Sequence, residues 1–362
     1  MFSSSPVTPF IRTEPSDEKL QLISGFPFGQ SACQKASLFP PAVETRFLAG
    51  DCLTVLRNCF PDDTFDLIIT SPPYADSREK TYGGISPERY VEWFLPRAAE
   101  FRRVLKPTGT FVLNIKEKVV KGERHTYVLE LILALRRQGW LWTEEYIWHK
   151  KNCYPGKWPN RFRDAWERCL QFNRQRNFRM FQEAVCVPVG TWATKRLGAP
   201  GPNDHCRLIS RTGSGFGRNV SHWKERSQVY PTNVLHLSTE TSNREHSAPF
   251  PRALPEWFIR LFTREGDWVL DPFAGSGTTG VVARQLGRHS VNIDICPEYV
   301  TAAQRRMEQE SLQPAGDTAC LPRLSRQSRK PSRQSRKPFC PPISTTNGTC
   351  SFQQMSLWDS ES

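Results

Sequence analysis

The sequence contains no long apolar run, no cysteine pair spaced as C-x-x-C, and no basic start followed by an apolar segment. Since a helix that spans a bilayer needs ~18–20 consecutive apolar residues, the chain has no candidate transmembrane helix. The absence of a basic and then apolar start argues against a signal peptide. The eleven cysteines are scattered, which favours reduced thiols in a cytoplasm over disulfides or a zinc site.

The net charge of +13 is a clear bias of the composition and indicates a polyanionic partner, nucleic acid or a membrane surface. Part of this charge lies in residues 313–362, which are rich in Ser, Arg, Pro and Lys and in which 325–331 recurs as 332–338. Such a segment buries too little apolar surface to offset its ordering entropy, so we expect a disordered basic tail. Residues 1–43 lack periodicity and are expected to form an irregular arm.

Apolar runs alternate with helical spacings in two parts of the chain, 44–150 and 246–312, and this alternation predicts an α/β fold with a doubly wound sheet. The predicted strands lie at 46–50, 65–70, 110–115, 145–148, 268–271 and 290–294, and the predicted helices at 53–58, 86–105, 126–138, 252–263, 279–286 and 297–310. Residues 151–245 are rich in Arg, Asn, Gly and aromatics with few long apolar runs. Loops and short elements on a basic surface are expected there.

A glycine-rich segment, D-P-F-A-G-S-G-T-T-G at residues 271–280, follows a predicted strand and begins a predicted helix. Gly275, Gly277 and Gly280 form the pattern G-x-G-x-x-G, and Asp294 ends the next strand. In this arrangement the backbone approaches an adenosine-containing ligand and a carboxylate binds the ribose hydroxyls. Taken alone the pattern is weak, since a dinucleotide-dependent dehydrogenase or a ligand-free glycine turn also contains it.

Two features of this segment disfavour a dinucleotide. The carboxylate of Asp271, at the end of the strand, would repel a pyrophosphate, whereas it suits the ammonium and sulfonium of S-adenosylmethionine. The segment also comes late in the chain, and only one strand is predicted after it. The remaining strands of the sheet must therefore come from 46–50, 65–70 and 110–115, so the order of elements is permuted relative to a usual nucleotide-binding fold.

A second motif, Ser71, Pro72, Pro73 and Tyr74, follows the strand predicted at 65–70, at the same edge of the sheet. Two prolines stiffen the backbone, so that the Pro72 carbonyl and the Ser71 hydroxyl can both accept hydrogen bonds from one NH₂ group. Tyr74 offers a face on which a flipped base can stack. The pattern fits direct methyl transfer to an exocyclic amine, although a proline-rich turn that leaves a strand is the plainer interpretation.

With these two motifs the chain resembles the amino-group DNA methyltransferases of the permuted β class, in which S/D-P-P-Y precedes D-P-F-x-G-S-G-T-T. The resemblance covers about residues 44–310. It implies an S-adenosylmethionine-dependent methyltransferase (Rossmann-like) doubly wound sheet, circularly permuted, with an inserted target-recognition region. The expected divisions are an arm at 1–43, a catalytic half at 44–150, the recognition region at 151–245, a cofactor-binding half at 246–312 and a tail at 313–362.

The family pattern also implies roles for single residues. Asp51 would meet the adenine end of the cofactor, with capping of the helix at 53–58 as an equal alternative. Phe250 would lie beside the methionine moiety, while Thr278 and Thr279 at the helix start suit its carboxylate. The cofactor-binding residues implied are Asp51, Phe250, Asp271, Phe273, Gly275, Gly277, Thr278, Thr279 and Asp294.

The Ser form of the tetrad is typical of cytosine-N4 enzymes and the Asp form of adenine-N6 enzymes, so the resemblance favours cytosine N4, with adenine N6 as the alternative. The implied partner is double-stranded DNA rather than a membrane, in a cytoplasmic restriction–modification setting with a cognate endonuclease as a functional partner. A catalytically silent DNA-binding protein, or methylation of RNA or of a protein amide, are further alternatives. Basic residues expected to contact DNA are Arg161, Arg163, Arg211, Arg218, Lys224 and Arg226.

Overall fold

The structure is a computed structural model that describes residues 43–77, 83–153, 160–190, 227–239 and 250–312. The expectations of an irregular arm and of a disordered tail therefore concern residues outside the described part of the chain. So do four of the six basic residues expected to contact DNA, namely Arg211, Arg218, Lys224 and Arg226.

Twelve strands and six α-helices lie within the described residues. The strands are β1 (Thr45–Ala49), β2 (Phe65–Thr70), β3 (Leu105–Ile115), β4 (Val119–Val120), β5 (Glu123–Arg124), β6 (Leu141–Lys150), β7 (Trp166–Asn173), β8 (Val187–Pro188), β9 (Gln228–Val229), β10 (Val234–Leu237), β11 (Trp268–Asp271) and β12 (His289–Asp294). The helices are α1 (Cys52–Cys59), α2 (Tyr90–Val104), α3 (Tyr127–Arg137), α4 (Ala253–Phe262), α5 (Thr278–Gln285) and α6 (Pro297–Leu312). Short 3₁₀ turns span Pro87–Arg89 and Gln182–Val185.

Eight strands form one sheet in the order β1-β12-β11-β2-β3-β7-β6-β10. All neighbours are parallel except β7, which is antiparallel to both β3 and β6. Strands from the two ends of the chain interleave, because β11 and β12 lie between β1 and β2. The predicted permuted, doubly wound α/β sheet is therefore confirmed. Two further antiparallel pairs, β4 with β5 and β8 with β9, form small separate sheets.

Strand β7 is the main departure from the sequence prediction, because loops and short elements were expected throughout 151–245. Its eight residues instead occupy a buried position in the main sheet, between β3 and β6. Leu170 and Phe172 pack in one apolar layer, while Glu167, Gln171 and Asn173 are buried on the other face. These polar side chains are hydrogen-bonded; Asn173, for example, donates to the Gly109 carbonyl at 3.0 Å. The polar composition of that face conceals the strand from a hydropathy pattern.

Helix α2 illustrates why the other elements form where the sequence predicts them. Its buried residues Tyr90, Phe94, Ala98 and Phe101 recur at three- and four-residue spacing, which places them on one face. The helix ends at Val104, because Leu105 adopts an extended conformation and begins β3. Helices α1, α2 and α3 contribute to one apolar layer and α4 and α5 to the other, so both faces of the sheet are covered.

Two findings bear on the cysteines and on membranes. The six cysteines among the described residues all carry free thiols. Within the same residues, none of the helices combines the length and the apolar content that a bilayer crossing requires.

A buried carboxylate ties the strands together at the edge of the sheet opposite the two motifs. Asp66 accepts hydrogen bonds from Lys106 Nζ at 2.8 Å, from Arg179 Nη1 at 2.9 Å and from the backbone N–H of Trp268 at 3.0 Å. These donors lie on β3, after β7 and on β11, whereas Asp66 itself lies on β2. One side chain thus holds the start of β2 to three other segments.

Asp66→Ala is expected to lower the free energy of unfolding by about 2–3 kcal/mol, because it leaves two cations and a backbone N–H without their shared acceptor. The matched control is Asp62→Ala, since Asp62 pairs with Arg103 at 2.8 Å but its side chain is 73% exposed. That change is expected to lower stability by less than about 1 kcal/mol. Urea unfolding followed by circular dichroism measures the free energy of unfolding of both variants. Equal losses would contradict the conclusion that Asp66 holds the start of β2 to the other segments.

Candidate active site

The two motifs meet because their strands, β2 and β11, are parallel neighbours in the sheet. Parallel neighbours end at the same edge, so Thr70 and Asp271, the last residues of the two strands, lie side by side. The Thr70 hydroxyl donates to Asp271 Oδ1 at 2.7 Å, and both side chains are buried. Residues 201 positions apart in sequence are thereby joined at the carboxyl edge of the sheet, where open α/β sheets bind their ligands.

The Asp271 carboxylate organises the glycine loop that follows it. Beyond Thr70 it accepts hydrogen bonds from the Thr279 hydroxyl at 2.6 Å and from the Phe273 backbone N–H at 3.2 Å. Burial disfavours the charged form and outweighs these hydrogen bonds, so that the pKa of Asp271 rises to about 6. At neutral pH the group carries a negative charge beneath the loop.

Backbone conformation or close packing explains why a glycine stands at each of three loop positions. Gly275 and Gly277 adopt positive φ angles of 52° and 72°, which favour glycine. A Cβ on Gly277 would also lie 2.8 Å from Ala303 Cβ. A Cβ on Gly280 would lie 2.5 Å from Asn292 Nδ2, so this glycine lets α5 pack closely on β12. The glycines therefore allow the turn conformation of the loop and its close packing on β12 and α6.

Asp294 lies at the end of β12 and is buried beside the same loop. Its Oδ2 accepts from the Gly275 N–H at 2.8 Å, and its Oδ1 accepts from the Cys296 N–H at 2.9 Å. Its backbone carbonyl accepts from the Gly50 N–H at 2.9 Å, which anchors the segment before α1 to the site. A carboxylate is an acceptor-only group with about four lone-pair positions, and hydroxyls of a ribose need an acceptor of this kind.

Asp51 and Phe273 are brought together by α2. Asp51 Oδ1 accepts from Arg97 Nη2 at 2.8 Å, and the Arg97 guanidinium lies 4.4 Å from the centre of the Trp93 ring. Phe273 packs against Trp93 with ring centres 5.8 Å apart. Asp51 occupies the capping position of α1 without a side-chain capping bond. Its carboxylate therefore pairs with Arg97 and does not cap the helix.

Three other expected cofactor residues have less direct positions. Thr279 has no exposed surface and gives its hydroxyl hydrogen to Asp271. The Thr278 hydroxyl is buried and accepts from Arg306 Nη1 at 3.1 Å. The Thr279 hydroxyl thus supports the loop from within, and the Thr278 hydroxyl links the start of α5 to Arg306 on α6. Phe250 is partly buried and packs on the second apolar layer.

The proline tetrad is held by a contact that the sequence does not indicate. The Tyr90 hydroxyl donates to the Pro73 carbonyl at 2.9 Å, which fixes the backbone of the turn. Among the described residues, no donor reaches the Pro72 carbonyl oxygen. This is the atom that the sequence predicts as an acceptor for a substrate amine, and it retains that capacity.

The side chains of the tetrad belong to a hydrogen-bond network. The Tyr74 hydroxyl donates to Glu167 Oε2 at 2.6 Å, and the Ser71 hydroxyl lies 3.3 Å from the Tyr74 hydroxyl. Asn114 Nδ2 lies within 3.3 Å of Ser71, Tyr74 and Glu167, and Lys150 Nζ lies 2.5 Å from Glu167 Oε1. Burial and the nearby Glu167 carboxylate raise the pKa of Tyr74 well above its usual value of 10. The tyrosine is therefore a hydrogen-bond donor.

Sequence reasoning missed Asn114 and Glu167 as site residues. Asn114 follows an apolar run near the end of β3, and Glu167 is a buried acid on β7. A polar residue near the carboxyl end of the strand beside β2 is a signal that could have identified Asn114. Glu167 gave no such signal, because β7 itself was not predicted.

Two further expectations concern metals and basic residues. Within the described residues, no three His, Cys, Asp or Glu side chains gather as ligands for a metal ion. Arg161 lies 3.6 Å from Asp164 in a surface ion pair, and Arg163 is exposed. Both follow β6 and precede β7, so they leave the sheet at the same edge as the tetrad.

The residues of this edge fit a cationic adenosine ligand. Asp271 and Asp294 accept hydrogen bonds from the backbone of the glycine loop, and Phe273 adds an aromatic ring. These two carboxylates favour a ligand that carries ammonium and sulfonium charges over one that carries a pyrophosphate, whereas the charge of Asp51 is paired with Arg97. S-adenosylmethionine meets this requirement, and the tetrad lies on the neighbouring strand.

Comparison with known proteins agrees with this geometry. The family model of N6 and N4 methyltransferases, described as DNA methylase, matches residues 65–305. The type II methyltransferase M.PvuII of Proteus hauseri is 31% identical over 278 residues, which cover 71% of this chain and 82% of the relative. M.SmaI of Serratia marcescens is 26% identical over 296 residues, 72% of this chain and 90% of the relative.

A solved structure extends the likeness to three dimensions. The PvuII DNA methyltransferase, which is cytosine-N4-specific, superposes with a TM-score of 0.54 and 26% identity over 74% of this chain and 90% of its own. The family match covers more than half of the chain and includes both motifs and the strands that carry them. The chain therefore belongs to the N6/N4 DNA methylase family and is a DNA methyltransferase that uses S-adenosylmethionine.

Proposed function

We propose that this DNA methyltransferase transfers the methyl group to the N4 amino group of cytosine at a specific site in duplex DNA. The observation that carries the proposal is Ser71 at the head of the tetrad, held beside the glycine loop through the contact between Thr70 and Asp271. The likeness to M.PvuII, whose solved structure is described as cytosine-N4-specific, supports the same target. Adenine N6 is the second candidate, since the family includes enzymes of both types.

In the proposed reaction the bound cofactor supplies an electrophilic methyl group on a sulfonium. The Ser71 hydroxyl and the Pro72 carbonyl accept the two hydrogens of the base amine, which favours a pyramidal nitrogen whose lone pair faces the methyl group. Tyr74 presents its ring to the flipped base, and its anchored hydroxyl keeps the ring from turning. Positioning and electrostatic placement then supply most of the rate, and no covalent nucleophile is needed.

The cofactor residues act by charge and shape. Asp294 accepts the ribose hydroxyls, Asp51 lies toward the adenine, and Phe250 and Phe273 contribute apolar contacts. The loop glycines Gly275 and Gly277 let the backbone approach the methionine end, where Thr278 and Thr279 hold the start of α5. The ionised Asp271 beneath the loop favours the positive charge of the cofactor.

The biological setting completes the proposal. Type II methyltransferases are the matched relatives, and we propose a cytoplasmic restriction–modification role with a cognate endonuclease as a functional partner. The recognition region at 151–245, including Arg161 and Arg163, is proposed to contact the phosphates and bases of the target duplex.

Product analysis tests the target directly. The purified protein is incubated with unmethylated DNA and isotopically labelled S-adenosylmethionine, and the digested nucleosides are analysed by mass spectrometry. Labelled N4-methylcytosine is expected. Labelled N6-methyladenine would overturn the choice of base and keep the mechanism, while absence of label across varied DNA would contradict the proposed function.

Ser71→Ala is expected to lower the single-turnover methylation rate by about a hundredfold, the size of losing one preorganised group at the reacting centre. DNA binding should change little, because the hydroxyl contributes to the reacting geometry and not to the phosphate contacts. Ser77→Ala is the matched control, since it removes a hydroxyl from the same loop, where it bonds the Tyr74 carbonyl. A native rate in Ser71→Ala, or an equal loss in the control, would contradict the role of Ser71.

The affinity for S-adenosylmethionine is expected to rise with pH between 5 and 7. The raised pKa of Asp271, about 6, means that the carboxyl is neutral below this pH and charged above it. The charged form attracts the cationic cofactor, so the dissociation constant at pH 5 should exceed that at pH 7.5 by about fivefold or more, for ~1 kcal/mol of attraction.

Isothermal titration calorimetry measures this dependence, and S-adenosylhomocysteine is the matched ligand because it lacks the sulfonium charge. Its affinity should change less over the same range. Equal dependence for both ligands, or none for either, would show that the Asp271 charge does not act on the sulfonium.

A further inference from the structure

Glu167 is a buried carboxylate that no motif includes, yet it lies at the centre of the network around the tetrad. Its side chain is on β7, a strand that runs opposite to its neighbours, so its first residues reach the carboxyl edge of the sheet. Oε2 accepts from the Tyr74 hydroxyl at 2.6 Å and from Asn114 Nδ2 at 3.0 Å. Oε1 accepts from Lys150 Nζ at 2.5 Å.

These contacts fix the direction of the hydrogen bonds. A carboxylate only accepts, so the Tyr74 hydroxyl must give its single hydrogen to Glu167. The Tyr74 oxygen is then an acceptor toward its other two neighbours, Ser71 Oγ at 3.3 Å and Asn114 Nδ2 at 3.1 Å. The Ser71 hydroxyl consequently donates its hydrogen inward, to Tyr74.

The number of hydrogen bonds that the Ser71 hydroxyl can donate and accept shows why this direction matters. A serine hydroxyl has one hydrogen and two lone pairs. The hydrogen is given to Tyr74. Asn114 Nδ2 shares two hydrogens among three acceptors and uses at most one Ser71 lone pair, so the other remains for a substrate amine. If Tyr74 donated to Ser71 instead, that lone pair would be occupied, and Ser71 would present a hydrogen to the amine.

We propose that Glu167 is a positioning residue that, through Tyr74, sets the direction of this hydrogen-bond chain and so keeps Ser71 an acceptor for the amine. The proposal rests on the proposed role of Ser71 and holds for either candidate base, since both present an exocyclic amine. Glu167 itself touches neither the base nor the cofactor. Its effect is on the rate of transfer rather than on the binding of either ligand.

Lys150 explains why a glutamine cannot replace this carboxylate. In Glu167→Gln the ammonium of Lys150 would attract the amide oxygen, which turns the amide NH₂ toward Tyr74. The NH₂ would then donate to the Tyr74 oxygen, and the tyrosine would give its hydrogen to Ser71. The chain would run in the reverse direction with nearly the same side-chain volume.

The first measurement is the single-turnover methylation rate of Glu167→Gln with saturating DNA and cofactor. We expect a fall of tenfold or more, with the dissociation constants for DNA and for S-adenosylmethionine within about twofold of the parent. Glu144→Gln is the matched control, because Glu144 is an exposed acid on the adjacent strand. A Glu167→Gln rate within twofold of the parent overturns the proposal.

A double-mutant cycle with Tyr74→Phe tests whether Glu167 acts through the Tyr74 hydroxyl. Tyr74→Phe removes the hydroxyl through which Glu167 acts, so adding Glu167→Gln should lower the rate by less than about twofold further. If Glu167→Gln lowers the rate by the same factor in both backgrounds, its effect does not pass through Tyr74 and the proposal fails.

Two further variants separate this role from others. If the pair with Lys150 were only a structural ion pair, Lys150→Met would reduce the rate as much as Glu167→Gln does. The proposal expects a clearly smaller loss, since the carboxylate remains to accept from Tyr74. Ser71→Ala separates the two proposed roles: full activity there would refute the role of Ser71, whereas a slowed Ser71→Ala with a fully active Glu167→Gln would refute the role of Glu167 alone. The proposed function itself is tested by the product analysis.

Discussion

The buried hydrogen bond between Thr70 and Asp271 is the contact on which the arrangement of the site depends. It joins the ends of β2 and β11, which come from opposite ends of the chain. Each strand continues directly into one of the two motifs, so the distance between the amine-binding tetrad and the cofactor loop is set by the spacing of adjacent strands. Because Asp271 also holds Phe273 and Thr279, the same carboxylate determines the shape of the loop that follows.

Much of the fold follows from the sequence for simple physical reasons. The strands at 65–70 and 268–271 were predicted with their observed bounds, since parallel strands buried on both faces form continuous apolar runs. The permuted order followed from the late position of the glycine loop. Strand β7 escaped prediction because a buried face lined by Glu, Gln and Asn resembles an exposed one in the sequence. Its burial is possible because these side chains bond partners on the neighbouring strands β3 and β6.

The site residues also divide into those that the sequence predicts and those that it does not. Ser71, Asp271 and Asp294 belong to local motifs, so their nearness to one edge follows from the order of elements. The partners of the tetrad, Asn114 and Glu167, depend on the register of β3 against β7, which no local pattern encodes. The hydroxyls of Thr279 and Thr278 contact Asp271 and Arg306, which no local pattern indicates. Candidate site residues in local motifs could therefore be identified from the sequence, whereas those brought to the site by strand register could not.

The reversed direction of β7 has an evolutionary consequence. Strand β6 ends at Lys150 and β7 begins at Trp166, both at the carboxyl edge, so the intervening chain leaves the sheet and returns to it at one place. Insertions or replacements between Lys150 and Trp166 leave the register of the sheet unchanged, since neither strand must move to accommodate them. Under the proposed role of residues 151–245 in target recognition, new target sequences can be acquired by exchanging part of that region, while the methyl-transfer geometry is inherited intact.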